Sequence, residues 1–258
     1  PGKYGLGVDI GAISRVRNDF IDRSYRTEYS RLGFYESQAN AVYEVEDWFG
    51  EMQGVTYQQH ITDLYNSINE LTKNPTSTIA RSSLIQNATA FIDRSQAIYS
   101  GLKDYQITLN TEVSSMVDKI NELGQKIYSL NKSISKVEAG GVERANDLRD
   151  TRDLALDELS QYLDIDYYET TDGQIIISAE NIPFVSKSEV NTMDVRQEGQ
   201  YGLLIPEWPA YEKDVFSFEK AASNANNNDK GKLKGLLVAR GTIDVNYQDV
   251  PVMPDKSD

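Results

Sequence analysis

One long helical pattern limits what this chain can fold into more than any other feature does. Between Leu84 and Val137, apolar or small residues recur at steps of three and four, which places them on one face of an α-helix. No proline interrupts the pattern, and a helix over these residues would measure roughly 80 Å. We predict that twelve of these side chains form a helix-packing stripe: Leu84, Phe91, Ile98, Leu102, Leu109, Val113, Met116, Ile120, Leu123, Ile127, Leu130 and Ile134. A long rod with one apolar stripe must pack against other helices, which favours a scaffold over a catalyst.

The flanking sequence predicts further helices. Residues 13–29, 31–52 and 57–71 precede the stripe, and residues 146–163 follow it. Residues 74–77 form a loop in which Pro75 and Ser77 suit a helix start, and Asn146 is a candidate N-cap for the last helix. Residues 31–52 carry an apolar set at helical spacing: Leu32, Tyr35, Ala39, Val42 and Phe49.

After residue 163 the period changes to that of β-strands. Residues 165–170 and 174–178 flank an Asp172-Gly173 turn and predict a β-hairpin, and residues 182–185 predict a third strand. Short extended pieces follow over 190–215, and residues 233–238 predict a last strand or the start of a helix. We therefore predict an elongated α+β protein, with a helical rod domain at 1–164 and a smaller β-rich domain at 165–258.

Charge and composition exclude several classes of protein. The net charge is −14, whereas a protein that binds nucleic acid or an anionic membrane surface needs a basic face. Cysteine is absent from the chain, which excludes disulfides, thiolate zinc sites and a cysteine nucleophile. No run of 18 apolar residues is present, so we expect no membrane span.

The sequence contains no convincing catalytic or metal-binding pattern. His60 is the single histidine, and no segment resembles the G-x-S-x-G motif of serine hydrolases. Asp147, Asp150 and Asp153 share one side of a helix, but arginines alternate with them, so ion pairs and favourable helix-dipole contacts explain the pattern better than a metal does. We therefore predict no catalytic, cofactor-binding or metal-binding residues.

Two asparagines of the long helix lie off the apolar stripe. Asn121 and Asn131 could fix the register of a helix pair if they faced a partner. We interpret them as ordinary polar surface residues.

Three stretches in order resemble one known family. They are residues 71–81, residues 120–134, and the segment 145–160. The third stretch is the most specific, and its family-like motif consists of Asn146, Asp147, Leu148, Asp150, Arg152 and Asp153. Together they resemble the flagellar hook-associated protein 1 family, the first of the two proteins at the hook–filament junction of the bacterial flagellum. Residues 5–8, with Ser14 and Asp19 downstream, are similar to the segment that leads into this family's helical domain.

The resemblance implies a structural adaptor subunit that joins the flagellar hook to the filament. It implies an extracellular protein exported by the flagellar type III apparatus without a cleaved signal peptide, and no cofactor. The implied partners are other copies in a ring, the hook protein, the second junction protein, and an export chaperone that binds terminal segments outside this sequence. We expect the chain without those segments to be monomeric or to associate weakly.

Two other interpretations remain open at this point. The chain could be another flagellar axial protein, such as the second junction protein or a flagellin-like subunit. It could also be a surface adhesin or a coiled-coil binding module that presents the β-rich region to a partner.

Overall fold

The computed structural model describes residues 18–49, 56–140, 144–199, 202–220 and 222–241. The helices are α1 (Asp19–Phe49), α2 (Tyr57–Lys73), α3 (Thr78–Glu138), α4 (Asn146–Tyr162) and α5 (Lys232–Ala239). The strands are β1 (Ile165–Glu169), β2 (Ile175–Ala179), β3 (Ile182–Val185), β4 (Asp194–Glu198), β5 (Leu203–Trp208) and β6 (Lys213–Asp214). This architecture confirms the predicted α+β fold. The segment at 5–8, the start of the predicted helix at 13–29 and the end of the predicted helix at 31–52 lie outside the described residues.

Helix α3 is the longest described element, and it contacts the other helices and both sheets. It has 61 residues and is therefore about 90 Å long. Its start is capped as predicted, because Ser77 Oγ accepts a hydrogen bond from Ala80 N at 3.2 Å. Its first half pairs with α2, and its second half packs on α4 and both sheets.

The strands form two separate antiparallel sheets of three strands, in the orders β1-β2-β3 and β4-β5-β6. The predicted hairpin is present, with Ile165 opposite Ala179 and Glu169 opposite Ile175. Gly173 adopts a φ of 76° in the connecting turn, a conformation that costs little only without a Cβ atom. The last predicted element, over 233–238, is a helix.

One continuous hydrophobic core joins the second half of α3 to α4, α5 and the sheets. Trp208 and Phe184 lie at its centre, fully buried, with ring centroids 5.7 Å apart. The core therefore crosses the domain boundary that we predict at residue 164/165. The division into a helical domain at 1–164 and a β-rich domain at 165–258 stays a prediction.

Helix α1 corrects two of the sequence interpretations. The predicted helices at 13–29 and 31–52 are one continuous helix through the described residues 19–49. Its apolar set also faces outward, since Leu32 is 57% and Val42 55% exposed. The buried positions are instead Arg26, Ser30, Gly33, Phe34, Ser37 and Ala41.

Close backbone packing explains this inversion. Ser30 Oγ donates to Leu163 O and Ser37 Oγ donates to Lys232 O, both at 3.1 Å. Where α1 crosses α5, a Cβ atom on Gly235 would collide with the backbone of Phe34. Small and hydroxyl side chains therefore lie at this contact, because larger apolar ones would hold the helices apart.

Two further points concern the helices. Asn146 is the first residue of α4 and not its N-cap; Ala145 occupies the cap position and makes no side-chain capping bond. No helix in the described ranges is both long enough and apolar enough to cross a membrane.

Candidate functional site

The structure places all twelve stripe residues on α3. Eight are buried, and Leu84, Phe91, Leu102 and Leu130 are half-buried. From Leu109 to Ile127 the stripe contributes to the core that contains α4 and the sheets. At the other end Phe91 stacks on Tyr57 of α2, with ring centroids 5.6 Å apart. A role of the stripe in contacts between subunits stays a prediction.

The family-like motif occupies the first half of α4, and two of its residues form a buried polar network. Arg152 is 1% exposed and donates from Nη1 to Asn131 Oδ1 at 3.0 Å and to Gly173 O at 2.6 Å. Asp153 lies 3.7 Å from the guanidinium of Arg26, which is itself 3% exposed and bonded to Asp157 at 2.7 Å. The network therefore joins α1, α3, α4 and the β1–β2 turn.

The other motif residues lie nearer to solvent. Asp147 and Asp150 are exposed in the first turns of α4, and Leu148 is half-buried. Within the described residues, no group of three or more acidic or histidine side chains is arranged to hold a metal ion. His60 lies in the first turn of α2, far along the chain from this network, and is half-buried.

A second ion-pair cluster fastens the end of α3 to α4. Arg149 binds Glu138 at 2.7 Å and Glu169 at 2.5 Å. The hydrogen bond from Arg149 is the main cause that lowers the pKa of Glu138 to about 2. Glu138 is therefore ionised at neutral pH, and the charged cluster holds β1 against the helices.

Three asparagines on α3 bind the β-rich region, and the sequence interpretation of two of them was wrong. Asn131 is fully buried and accepts from Ile175 N at 3.0 Å while it donates to Ile175 O at 2.7 Å. Asn121 makes the same pair of bonds with Met193, both at 2.9 Å. Asn110 accepts from Leu204 N at 2.8 Å and donates to Gly202 O at 3.2 Å.

A spacing signal could have revealed these asparagines. They are separated by 11 and 10 residues, which is close to three helical turns, so they fall near one side of α3. Each side-chain amide replaces a strand partner, because it offers one donor and one acceptor to an extended backbone. The long helix is thereby held to the strands by directional bonds at three heights.

A cleft of about 860 Å³ lies between the β2–β3 turn and the segment that follows β6. Lys234 lines it and is 6% exposed, and its ammonium lies 5.9 Å from the ring centroid of Phe216. Burial raises the pKa of Glu180, which also lines the cleft, to about 7 and lowers that of Lys234. Because Glu180 belongs to a tight turn and bonds the backbone of Asp164, we interpret these shifts as consequences of packing and not as signs of a reactive site.

The outer helix faces are the remaining candidate surface. Many large apolar side chains are exposed on α1, α2 and the first half of α3. Examples are Ile21, Tyr25, Tyr65, Ile85 and Tyr99. Single exposed apolar residues are common on folded proteins, but repeated ones on neighbouring helices typically mark an interaction surface. The outer faces of these helices are therefore suited to contacts with other protein surfaces.

Comparison with known proteins decides the family. The family model described as "Flagellar hook-associated protein FlgK helical domain" matches residues 42–250, which is most of the chain. This chain belongs to that family. The resemblance deduced from the three sequence stretches is thus confirmed, and the family is one of structural flagellar proteins.

Individual relatives of this FlgK-family chain are distant in sequence. It is 27% identical to flagellar hook-associated protein 1 of Bacillus subtilis, over 98% of this chain and 52% of that protein. The protein of the same name in Escherichia coli is 23% identical over 70% of this chain and 33% of its own length. The chain therefore spans about half the length, or less, of these curated relatives.

A solved structure shows the same fold. The flagellar hook junction protein FlgK from Burkholderia pseudomallei superposes with a TM-score of 0.67. The match covers 86% of this chain and 39% of that protein, at 18% sequence identity. The likeness supports the fold of this FlgK-family domain, and at this identity it does not extend to individual side-chain contacts.

Proposed function

We propose that the protein containing this chain is a structural adaptor subunit of the bacterial flagellum that joins the hook to the filament. The main support is the match of residues 42–250 to the FlgK helical domain. The physical properties agree with it, because directional bonds hold a long helix to the strands and the outer helix faces expose apolar side chains.

The proposed partners follow from that position in the flagellum. They are other copies of the same protein in a ring, the hook protein on one side and the second junction protein on the other. An export chaperone would bind segments outside this sequence. The −14 net charge supports partners that are proteins, since neither nucleic acid nor an anionic membrane attracts such a surface.

The proposed mechanism is passive and involves no catalysis. The protein would be exported through the flagellar type III apparatus without a cleaved signal peptide and would act outside the cell. Its task is mechanical, because an adaptor must hold the hook and the filament together. The buried arginine network and the asparagine bonds suit that task, since directional hydrogen bonds add to apolar packing in holding α3 against the strands.

Deletion of the parent gene in its own organism tests the proposal. We expect cells that carry hooks without filaments in electron micrographs and that release flagellin into the medium. Re-expression of the full-length gene should restore filaments. Intact filaments in the deletion strain would contradict the junction role and would favour an adhesin or another coiled-coil binding module.

A further inference from the structure

The cleft beside the β2–β3 turn has a buried cation on its floor. Three of its lining side chains are buried and form this floor: Val215, Phe216 and Lys234. The Nζ atom of Lys234 lies over the ring of Phe216, 5.9 Å from its centroid. The cleft measures about 860 Å³, a volume within the range of small-molecule sites. Its floor therefore combines apolar side chains with one positive charge.

The ammonium group of Lys234 has no hydrogen-bond or ion-pair partner in the described part of the chain. The side chain is only 6% exposed, so water solvates the charge poorly. A buried cation without a counterion is costly, because apolar neighbours do not replace its hydration. Burial is also the main cause that lowers the pKa of Lys234. An anion that enters the cleft supplies the counterion.

Two of the three carboxyl groups that act on Lys234 from a distance already have cations of their own. Asp164 binds Lys230 at 2.9 Å, and Asp229 binds Arg31 at 3.4 Å. Neither aspartate lines the cleft. Lys234 is therefore the cation on the cleft floor that remains for a ligand.

The third carboxyl group, that of Glu180, assists an anion at mildly acidic pH. Glu180 lines the cleft, and its Oε1 atom accepts a hydrogen bond from Asp164 N at 3.1 Å. Desolvation raises its pKa to about 7, although that hydrogen bond and the charges of Lys234 and Lys230 act in the opposite direction. Below this pH the group is predominantly protonated and donates a hydrogen bond to an anion. Above it, Glu180 is itself the anion beside Lys234 and repels a second one.

The other charges of the cleft lie on its rim. Two glutamates and two lysines there are exposed, and they are Glu212, Lys213, Glu219 and Lys220. Their charges cancel, and water and salt screen them. Asp214 of the rim binds Arg196 at 2.6 Å. The floor therefore decides which ligand charge is favoured.

We propose that this cleft binds a small organic carboxylate, whose charged group lies between Lys234 and Glu180. The apolar part of the ligand packs on Phe216 and Phe218, whose ring centroids are 6.3 Å apart. One ammonium beside one neutral carboxyl group matches the single charge of a carboxylate better than the double charge of a phosphate. The contact is reversible binding without a covalent step, and it is independent of the proposed junction role.

Benzoate is a suitable probe, because it joins one carboxylate to one aromatic ring. It is added in increasing amounts, at constant ionic strength and about pH 6, to the ¹⁵N-labelled chain while backbone amide spectra are recorded. We expect saturable shifts confined to the cleft lining, including Phe216, Phe218 and Lys234. Benzamide has nearly the same shape without the charge, and we expect it to bind on the order of tenfold more weakly.

Two lysine variants of α5 identify the anchoring charge. Lys234→Met keeps an apolar side chain on the floor and removes the ammonium, so benzoate should bind on the order of tenfold more weakly. Lys232→Met removes the same charge two residues earlier, outside the cleft lining, and should leave the affinity unchanged. Equal thermal melting of both variants shows that they fold.

The pH profile tests the part of Glu180. Benzoate affinity of the original chain should fall about tenfold from about pH 6 to about pH 8, as Glu180 ionises. Glu180→Gln keeps a hydrogen-bond donor that does not titrate, so its affinity for benzoate should stay constant over this range. A profile that is the same in both proteins would remove Glu180 from the site and overturn the proposed geometry.

The remaining outcomes also decide the proposal. Saturable shifts in the cleft that weaken in benzamide and in Lys234→Met support the site. Shifts scattered over the surface, no saturation, or equal affinity for benzoate and benzamide overturn it, and so does a folded Lys234→Met that binds as tightly as the original. If Lys234→Met does not fold, the comparison of the two probes on the original chain still decides. Filaments in the deletion strain have no bearing on this result.

Discussion

The three asparagines of α3 are the residues whose role depends most on tertiary context. Asn131 bonds both backbone groups of Ile175 and also accepts from Arg152, all without access to solvent. Apart from the spacing that the three share, the sequence does not distinguish such an asparagine from a surface one, since both lie off the apolar stripe. The distinguishing property is a strand edge that approaches from 44 residues away in the sequence.

Replacement of Asn131 tests that role. Asn131→Leu keeps the branching of the side chain but leaves the N–H and C=O of Ile175 and one bond of Arg152 unpaired in the core. We expect the free energy of unfolding to fall by about 3 kcal/mol. Chemical denaturation measures it, and Asn66→Ala on the exposed surface of α2 is the control, with a change near zero. Equal stability of both variants would contradict the structural role.

The half-buried side chain of Glu180 predicts a dependence of stability on pH. Its pKa is raised to about 7 because burial disfavours the charged form, against the hydrogen bond from Asp164 N and the nearby Lys230 and Lys234. A raised carboxyl pKa means that the folded state holds the proton more tightly than the unfolded state. Stability from this group is therefore full below about pH 4.5 and is lost as the pH rises to about 7.

Thermal melts across this range check the prediction. Glu180→Gln should remove the loss of stability between about pH 4.5 and 7. Glu138 is the matched contrast, because its pKa is lowered to about 2 and its contribution is lost in the opposite direction, as the pH falls below about 4.5. An unchanged pH profile in Glu180→Gln would show that this carboxyl ionises normally in the folded protein.

Among the helices and strands, most were predictable from the sequence, but the buried face of α1 was not. The stripe of α3 was predictable because it packs apolar side chains against apolar side chains. Where α1 meets α4 and α5, the backbones instead come close together. The hydroxyl groups of Ser30 and Ser37 donate hydrogen bonds to backbone carbonyls there. Periodicity locates apolar side chains, and it cannot tell whether they face the core or a partner.

The contact between the end of α1 and α3 predicts a further result. A Cβ atom on Gly101 would lie 2.5 Å from the ring of Trp48. Gly101→Val should therefore push Trp48 outward and lower the unfolding free energy by about 1–3 kcal/mol. Tryptophan fluorescence reports it, because the chain has only two tryptophans and Trp208 is fully buried.

A second glycine supplies the control for that substitution. A Cβ atom on Gly140 would have no neighbouring atom within 4 Å among the described residues, so Gly140→Ala should leave fluorescence and stability unchanged. If Gly101→Val has the emission spectrum and melting curve of the original protein, the packing of Trp48 against α3 is not as tight as described.

For the molecule as a whole, the family was accessible from the sequence, but the position of the exposed apolar side chains was not. Three short stretches in order identified the family. Arg81, for example, resembles any surface arginine in the sequence, and only the structure shows that its guanidinium donates to Pro75 O at 2.9 Å in the loop between α2 and α3.

The isolated chain should not assemble on its own. Six exposed apolar side chains of α2 and α3 total on the order of 600 Å², which is small for a stable complex of two copies without further contacts; they are Ile61, Tyr65, Ile68, Ile85, Ile92 and Tyr99. We expect sedimentation velocity to show a monomer at micromolar concentration. A stable dimer or a larger closed species at that concentration would contradict this expectation.

Immunogold labelling of intact flagella, with antibodies raised against this chain, addresses the junction role at its actual location. We expect gold particles at the boundary between hook and filament and at no other place along the flagellum. Labelling along the whole filament would identify a flagellin-like subunit, and labelling of the cell surface would identify an adhesin. Either of these patterns would contradict a junction adaptor.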